Sequence, residues 1–434
     1  MNDASVLLWG REIGAVSWVE DRQLAVFQYD PAFVHSRIQP APLMMPLREM
    51  PYEFTTLAKG SFRGLPGLLA DSLPDKFGNA VIDSWLASQG RSADHFNPVE
   101  RLSFIGNRGM GALEFKPVMR IFHSQADELD VSRLVKLSNR ILNQRSHLEG
   151  VFLGIDDQLV IENILRVGSS AGGARAKAVL AWNPITNEFR SGQEKNSPGF
   201  ENWIIKFDGI SNNRDKELAD PQGFGKIEFA YYQLAIKAGI EMMESRLHHE
   251  GGRSHFMTKR FDRNPDGTKI HMQSLGALTH VDFNIAALYS YEQTLHTMKQ
   301  LGCSQDDLEQ QVLRAIFNVV GRNQDDHVKN IAFLMDQSGA WRLSPAFDLT
   351  YAYDPFGRWT RQHQMSINGK RDLFDRQDLV ALASIAGIKP YRAKAMLERV
   401  TVTLKTWPVV AAKVGVSEDF IRKIQSVQRL DLVV

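Results

Sequence analysis

The chain has 434 residues of ordinary globular composition, with 51 basic and 50 acidic side chains giving a formal net charge of +1. That balance argues against a general nucleic-acid binder, which usually carries a marked basic excess. The length predicts two to three structural units. Cys303 is the only cysteine, so no internal disulfide can form, and no apolar run approaches the roughly eighteen residues of a membrane span. We therefore expect a soluble, cytoplasmic protein.

The first 30 residues predict a small β-rich unit. They hold three short alternating stretches, residues 6–9, 14–19 and 24–29, which are separated by charged turns. Such a pattern is typical of antiparallel strands joined as a meander. We assign residues 1–125 to this amino-terminal unit.

Beyond this unit the periodicity is mainly helical, over residues 130–170 and 220–430. Strands are predicted within these regions at 178–182, 203–207, 255–260 and 331–343. The stretch 183–199 is rich in proline and glycine and is predicted to be a long mobile loop. The predicted fold class is α+β, with a second unit at 126–262 and a mainly helical carboxyl-terminal lobe at 263–434.

A glycine-rich segment, residues 168–177, precedes the first strand of the second unit. Its sequence is Gly-Ser-Ser-Ala-Gly-Gly-Ala-Arg-Ala-Lys. Glycine lets backbone N–H groups approach phosphates closely, because it has no side chain to hold them away. The segment matches neither the Walker pattern nor Gly-x-Gly-x-x-Gly, and a flexible hairpin is the alternative interpretation.

Lys206 stands out at the end of the apolar run 203–207. A buried lysine needs a negatively charged partner, which phosphate oxygens would supply. An edge-strand lysine that points to water is the alternative. On the helix predicted to follow, Glu228 is the candidate ion-pair partner of Lys206, with Glu217 and Glu241 as alternatives.

The most informative segment is Asn-Gln-Asp-Asp-His-Val-Lys-Asn at residues 323–330. Phosphoryl transfer needs a carboxylate to take the acceptor's proton and oxygen ligands for Mg²⁺, and protein kinases place these in Asp-x-x-x-x-Asn followed by a second Asp. Asp325 and Asn330 have this spacing, and Asp348 stands where the second Asp is expected. The flanking sequence predicts a helix before the segment and two short strands after it, the usual frame of a kinase catalytic loop.

Two further features have simpler explanations. His327 could be a metal ligand, but no second histidine lies three or four residues away, so a structural hydrogen bond is favoured. Near the carboxyl terminus, basic residues could touch DNA phosphates if a partner docks the protein on DNA. A solvated helix face is the favoured explanation for Lys389, Arg392, Lys394, Arg399 and Lys405.

Several segments resemble the HipA-type serine/threonine kinase toxins of bacterial toxin–antitoxin systems. Residues 170–177 are similar to the family's Ser-x-x-Gly-x-x-x-Lys loop, 260–263 to its Arg-Phe-Asp-Arg hinge, and 325–330 to its Asp-x-His-x-Lys-Asn motif. Residues 344–349 look like its Pro-x-Tyr-Asp-Leu block, with Phe for Tyr. The amino-terminal segments 27–30, 68–75 and 106–113 also resemble the family. The resemblance implies a two-lobed protein-kinase-like fold.

The resemblance also implies roles for individual residues. Asp325 would be the catalytic base, Asn330 and Asp348 would be Mg²⁺ ligands, and Lys206 would contact the ATP phosphates. Ser170 would be an autophosphorylation site, with Ser169 as a rival, since about two added negative charges there would repel the ATP phosphates. Further residues are implied in ATP binding: Ser170, Ala171, Gly172, Gly173, Ala174, Lys177, Glu228, Arg260, Phe261, His327 and Lys329.

The favoured function is that of an ATP-dependent serine/threonine protein kinase acting as the toxin of a toxin–antitoxin pair. Family targets include aminoacyl-tRNA synthetases, and a HipB-like helix-turn-helix antitoxin would supply operator DNA recognition. One alternative is a catalytically weak kinase fold that acts as an antitoxin-bound transcriptional co-repressor. Another is a small-molecule kinase, because the same catalytic geometry serves other acceptors.

Overall fold

The amino-terminal unit is built on a five-stranded antiparallel sheet. The computed structural model describes residues 2–118, 130–144, 175–192, 198–209 and 222–432. The predicted meander is confirmed, with strands β1 (Asp3–Leu8), β2 (Arg11–Val19) and β3 (Leu24–Tyr29). Two further strands complete the sheet in the order β4-β3-β2-β1-β5, namely β4 (Tyr52–Glu53) and β5 (Leu113–Lys116).

Short helices follow the meander. They are α1 (Pro31–Val34), α2 (Lys59–Phe62), α3 (Gly67–Ala70), α4 (Lys76–Ser88) and α5 (Pro98–Ile105). Helix α4 begins after Asp75, whose carboxylate accepts a hydrogen bond from the Gly78 N–H at 2.8 Å. Helix α5 begins after Asn97 in a capping box with Glu100. Both caps satisfy N–H groups that a helix start leaves without intrahelical partners.

The second sheet carries the predicted ATP lysine, and its strand order is β7-β6-β8-β10-β9. The strands are β6 (Lys177–Trp182), β7 (Phe189–Ser191), β8 (Glu201–Lys206), β9 (Ser245–Glu250) and β10 (Arg253–Lys259). Helix α6 (Val131–Gln144) contacts α4, and helix α7 (Phe224–Ala238) packs against β9 and β10. The apolar β6 is buried along its whole length, as expected for an interior strand.

The prediction of one long loop at 183–199 is wrong in part. Residues 189–191 form β7, which pairs with β6 through Trp182 and Phe189, and the two rings lie 6.5 Å apart. Burial of an aromatic pair stabilises a short strand that lacks a clear alternating pattern. Residues 193–197 lie outside the described part of the chain.

The carboxyl-terminal lobe is mainly helical, as predicted. Its helices are α8 (Leu275–Thr279), α9 (Tyr291–Gln300), α10 (Gln305–Gly321), α11 (Arg376–Ile385), α12 (Pro390–Leu404), α13 (Trp407–Val414) and α14 (Glu418–Val427). A small sheet has the order β11-β12-β13, with β11 (His271–Ser274), β12 (Ala332–Met335) and β13 (Trp341–Leu343). Helix α10 and the β12–β13 hairpin frame the Asp-x-x-x-x-Asn segment. In the described ranges, no helix has both the length and the apolar character to cross a membrane.

Helices α3 and α8 join the amino-terminal unit to the carboxyl-terminal lobe at very short range. A Cβ atom on Gly67 would lie 2.1 Å from the Ala277 carbonyl oxygen. The Gly67 N–H donates a hydrogen bond to His280 Nε2 at 3.0 Å. The position therefore requires glycine because of the close approach of the two backbones.

We expect Gly67→Ala to lower the free energy of unfolding by about 1–3 kcal/mol, as overpacking at a tight contact does. Urea unfolding of the purified full chain measures this change in the free energy of unfolding. Gly60→Ala in α2 is the matched control, because a Cβ there meets nothing within 4 Å. Equal stability of the two variants would contradict the close approach.

Candidate active site

Lys206 lies in a buried cluster of charges between the second sheet, α7 and the loop after β13. Its ammonium contacts the carboxylates of Glu228 and Asp348, and Lys206 is 7% exposed. Strand β8 lies between β6 and β10, so the edge-strand alternative for Lys206 is wrong. Burial alone would lower the pKa of Lys206, but Asp348 and Glu228 raise it above its usual value. The ammonium is therefore held in its charged form.

Glu228 is the acidic partner of Lys206, for which the sequence also offered Glu217 and Glu241. It is 2% exposed and also accepts a hydrogen bond from Arg175 Nη1 at 2.9 Å. Glu241 is exposed, and Glu217 lies outside the described residues. The pair of a strand lysine and a helix glutamate is the arrangement that a protein kinase needs to hold nucleotide phosphates.

Asp348 occupies a constrained position after β13. Its φ of +54° lies in the left-handed region, which is strained for a residue with a side chain. The Asp348 carbonyl oxygen accepts a hydrogen bond from Asn323 Nδ2 at 3.1 Å. Burial opposes ionisation of the carboxyl group, but Lys206 and Lys177 bring its pKa below the usual range. Asp348 is thus an ionised carboxylate at neutral pH, as a metal ligand must be.

A hydrogen bond joins the two ends of the Asp-x-x-x-x-Asn segment. Asn330 Nδ2 donates to the Asp325 carbonyl oxygen at 2.7 Å, which leaves the amide oxygen of Asn330 to serve as a ligand. The Asp325 side chain is 38% exposed, and its Oδ1 accepts a hydrogen bond from Trp359 Nε1 at 2.7 Å. An exposed carboxylate held in one orientation suits a catalytic base that an acceptor must reach.

Among the described residues, His327 lacks the structural hydrogen bond that we expected. Its Nε2 lies 3.8 Å from Asp325 Oδ1, which is too far for a hydrogen bond, and its buried Nδ1 meets no hydrogen-bond partner in the described part of the chain. The ring lies between Phe283 and Trp359, with centroids 5.7 and 6.5 Å away. Among the described residues, no group of three His, Cys, Asp or Glu side chains could hold a metal.

Asp326 differs completely from its neighbour Asp325. It is 3% exposed and accepts hydrogen bonds from Tyr291 Oη, His363 Nδ1 and the Gln364 N–H, each at 2.8 Å. His363 Nε2 in turn accepts from Arg429 Nη1 at 3.2 Å, since a guanidinium can only donate. Asp326 therefore supports the Asp-x-x-x-x-Asn segment from the protein interior.

The hinge residues lie beside this site. The Arg260 guanidinium donates to Asp262 at 2.8 and 2.7 Å, and neither side chain is exposed. An adenine contact at Arg260 would therefore have to come from its backbone. The Phe261 ring lies 5.6 Å from the ring of Phe347, next to Asp348. The loop residues Ser170, Ala171, Gly172, Gly173 and Ala174 lie outside the described part of the chain.

Two family models match the sequence. The HipA-like C-terminal domain matches residues 169–407, more than half of the chain, and the HipA N-terminal domain matches residues 4–116. The chain belongs to the HipA-like family. No curated protein matches it.

A solved structure of this family is similar over nearly the whole chain. It is the HipA of Shewanella oneidensis MR-1, from a complex of toxin–antitoxin proteins HipA and HipB with operator DNA. The TM-score is 0.65 at 18% sequence identity, covering 98% of this chain and 95% of that chain. The proinflammatory kinase CtkA of Helicobacter pylori is similar at a TM-score of 0.31 and 11% identity, over 54% of this chain and 89% of that chain, a likeness too low to carry an argument. The HipA-like chain thus has the HipA kinase fold that its motifs predict.

The residues of this HipA-like site fit a Mg²⁺ ion and nucleotide phosphates. Mg²⁺ prefers hard oxygen ligands and commonly takes one or two from the protein together with phosphate oxygens. Asp348 offers an ionised carboxylate and Asn330 a free amide oxygen, while Lys206 adds a fixed positive charge. The donor chemistry therefore agrees with the proposed ligand set.

Trp359 is a functional candidate that the sequence analysis missed, since it stands in an irregular loop 34 residues after Asp325. We expect Trp359→Phe to slow phosphate transfer at saturating ATP roughly tenfold, because a hydrogen bond to a charged group contributes about 1.5–3 kcal/mol. The affinity for ATP should not change. Trp341→Phe is the matched control, because Trp341 Nε1 has no hydrogen-bond partner within the residues that the structure describes. A faster Trp359→Phe variant would instead mean that the indole blocks the base.

Proposed function

We propose that this HipA-like chain is an ATP-dependent serine/threonine protein kinase that acts in the cytoplasm as the toxin of a toxin–antitoxin pair. The observation that carries the proposal is the buried contact of Lys206 with both Glu228 and Asp348. A single ammonium there contacts Glu228 on the helix that packs against its sheet and Asp348, the carboxylate proposed as a metal ligand. A protein that only bound a partner would have no need to bury these charges together, because burying charge is unfavourable.

The proposed reaction follows from the positions of these groups. The acceptor hydroxyl oxygen forms a bond to the γ-phosphorus of ATP, and the bond from that phosphorus to the β–γ bridging oxygen breaks, so that ADP leaves. Asp325 takes the proton of the hydroxyl group. Lys206 holds the phosphates in line, and Asn330 and Asp348 would hold Mg²⁺. The ion would supply charge neutralisation on the phosphate oxygens.

The target and partners are also proposals. The Shewanella oneidensis protein was solved with HipB and operator DNA, which supports a HipB-like helix-turn-helix antitoxin as a partner here. Operator DNA would be contacted mainly through that antitoxin, since the net charge is only +1 and Arg392 is paired with Glu309 at 2.5 Å. An aminoacyl-tRNA synthetase is the proposed class of substrate, and its phosphorylation would arrest growth.

Intact mass after incubation with ATP and Mg²⁺ tests the proposed function, with Asp348→Asn as the inactive control. A mass gain of phosphate in the wild type only, mapped to residues 168–177, would support an active kinase that modifies its own glycine-rich loop. Loss of this mass gain in Ser170→Ala would then assign the phosphate to Ser170, and its persistence would point to the neighbouring Ser169. If neither protein binds ATP or gains phosphate, the co-repressor alternative replaces the kinase.

A further inference from the structure

The segment 71–75 of the amino-terminal unit reaches into the candidate active site at two points. Asp75 Oδ2 lies 3.7 Å from Lys177 Nζ, and both side chains are only 3% exposed. Asp71 Oδ1 lies 3.9 Å from Lys329 Nζ. Lys177 begins strand β6, and Lys329 belongs to the catalytic loop. One short segment therefore provides a carboxylate to a lysine of each lobe.

The position of Lys177 follows from the register of the second sheet. Lys177 is directly opposite Lys206 in the antiparallel pair of β6 and β8. Directly opposed residues project from the same face of a sheet, with Cβ atoms about 4.5–5.5 Å apart. Lys177 therefore faces the same volume as Lys206, where the proposed function puts the nucleotide phosphates.

Two opposed lysines repel each other, so each needs a carboxylate nearby. Lys206 has Glu228 and Asp348, whereas Lys177 has Asp75. Burial brings the pKa of Lys177 below its usual value, and Asp75 is the largest influence that opposes this. Burial also raises the pKa of the Asp75 carboxyl group to about 6, against the influence of Lys177, so that this group is still mostly ionised at neutral pH. The carboxylate of Asp75 thus helps to keep the Lys177 ammonium charged and aimed.

Asp71 is itself fixed from the carboxyl-terminal lobe. Its Oδ2 accepts from the Ser274 N–H at 2.6 Å, and its Oδ1 accepts from Ser274 Oγ at 2.9 Å. Ser274 also caps helix α8. The carboxylate near Lys329 is therefore held by a helix terminus, which limits its motion relative to the catalytic loop.

We propose that Asp75 and Asp71 are positioning residues of the nucleotide site, each holding one lysine toward the ATP phosphates from the amino-terminal unit. The inference rests on the proposed kinase function and deepens it, because it makes the amino-terminal unit part of the nucleotide site. Asp75 contributes more than Asp71, since Lys177 is buried while the Lys329 side chain is 31% exposed and is more strongly screened by solvent.

Asp75→Asn is the decisive variant. Asparagine is as good a helix N-cap as aspartate, so the hydrogen bond to Gly78 and the start of α4 remain, while the charge beside Lys177 is lost. We expect the affinity for MgATP to fall at least about tenfold, as when one partner of a buried charged pair is removed. Asp71→Asn should weaken MgATP binding roughly two- to fivefold, because its pair is partly exposed.

Calorimetric titration of the full chain with MgATP and, separately, with adenosine distinguishes positioning from general damage. Adenosine has no phosphates, so its affinity should be the same in wild type and Asp75→Asn. Glu114→Gln is the control, because it breaks another ion pair between the amino-terminal unit and the rest of the chain, with Lys269 at 2.7 Å. It should leave MgATP affinity unchanged.

The outcomes separate the inference from the proposed function. Wild type that binds MgATP, with Asp75→Asn unchanged, would overturn the inference and leave the kinase proposal standing. Equal weakening for MgATP and adenosine would also overturn it, because that pattern indicates a structural defect. Wild type that fails to bind MgATP would overturn both.

Discussion

Asp325→Asn is expected to slow phosphate transfer roughly a thousandfold, within the range that general-base catalysis contributes. Asparagine keeps the size of the side chain and an oxygen for the indole of Trp359, but its amide cannot take the proton of the acceptor. The side chain is 38% exposed, so the free energy of unfolding should change by no more than about 0.5 kcal/mol. Intact mass measures the rate of phosphate transfer, and urea unfolding measures the free energy of unfolding.

Binding of MgATP provides the internal control for this variant. Asp325 contacts neither Lys206 nor Glu228, so the affinity for MgATP should be that of the wild type. Transfer at the wild-type rate would remove Asp325 from the role of base. Loss of both transfer and MgATP binding would mean that the substitution disturbs the whole loop.

Asp326→Asn, unlike Asp325→Asn, is expected to destabilise the protein. It should lower the free energy of unfolding by about 2–4 kcal/mol. All three partners of Asp326 donate hydrogen bonds, and an amide has only one oxygen to accept them. Its NH₂ group would face a buried donor, and leaving buried polar groups unsatisfied is strongly unfavourable. Urea unfolding measures the loss. Stability equal to that of Asp325→Asn would contradict a structural role for Asp326.

The stabilisation by Asp326 should also depend on pH. Burial raises the pKa of the Asp326 carboxyl group. His363 and the hydrogen bonds that this carboxylate accepts lower the pKa by more than burial raises it, so the net pKa lies below the usual value. Such a group stabilises the fold above the unfolded-state pKa of about 3.9 and loses that contribution as pH falls through its folded-state pKa. The stability difference between wild type and Asp326→Asn should therefore shrink below about pH 4. A difference that grows with acidity would contradict this sign.

The sequence could predict those parts of the site that lie in short motifs. The spacing of Asp325, Asn330 and Asp348, and the apolar run that ends in Lys206, are local patterns with a local physical cause. The meander and helix α10 follow from periodicity in the same way. The HipA-like family and its fold agree with these predictions.

The rest of the site depends on contacts between distant parts of the chain. Trp359 and His363, which donate hydrogen bonds to Asp325 and Asp326, both stand in the irregular stretch after β13, whose sequence has no period. The carboxylates of Asp71 and Asp75 meet lysines from other units, and no local pattern encodes that meeting. Strand β9, Ser-Arg-Leu-His-His-Glu, was not predicted, since its partner β10 rather than its own composition holds it in the sheet.

The support of the proposed catalytic loop depends on Arg429, a residue that is synthesised about a hundred positions after the loop. Its backbone N–H donates to the Val320 carbonyl at the end of α10, and its guanidinium reaches His363, which lies 66 residues earlier and supports Asp326. The ribosome makes the catalytic loop long before it makes Arg429. A nascent chain therefore lacks this support of that loop until residue 429 has been made, so an enzyme proposed to arrest translation would gain its full activity only after its own ribosome has passed that residue.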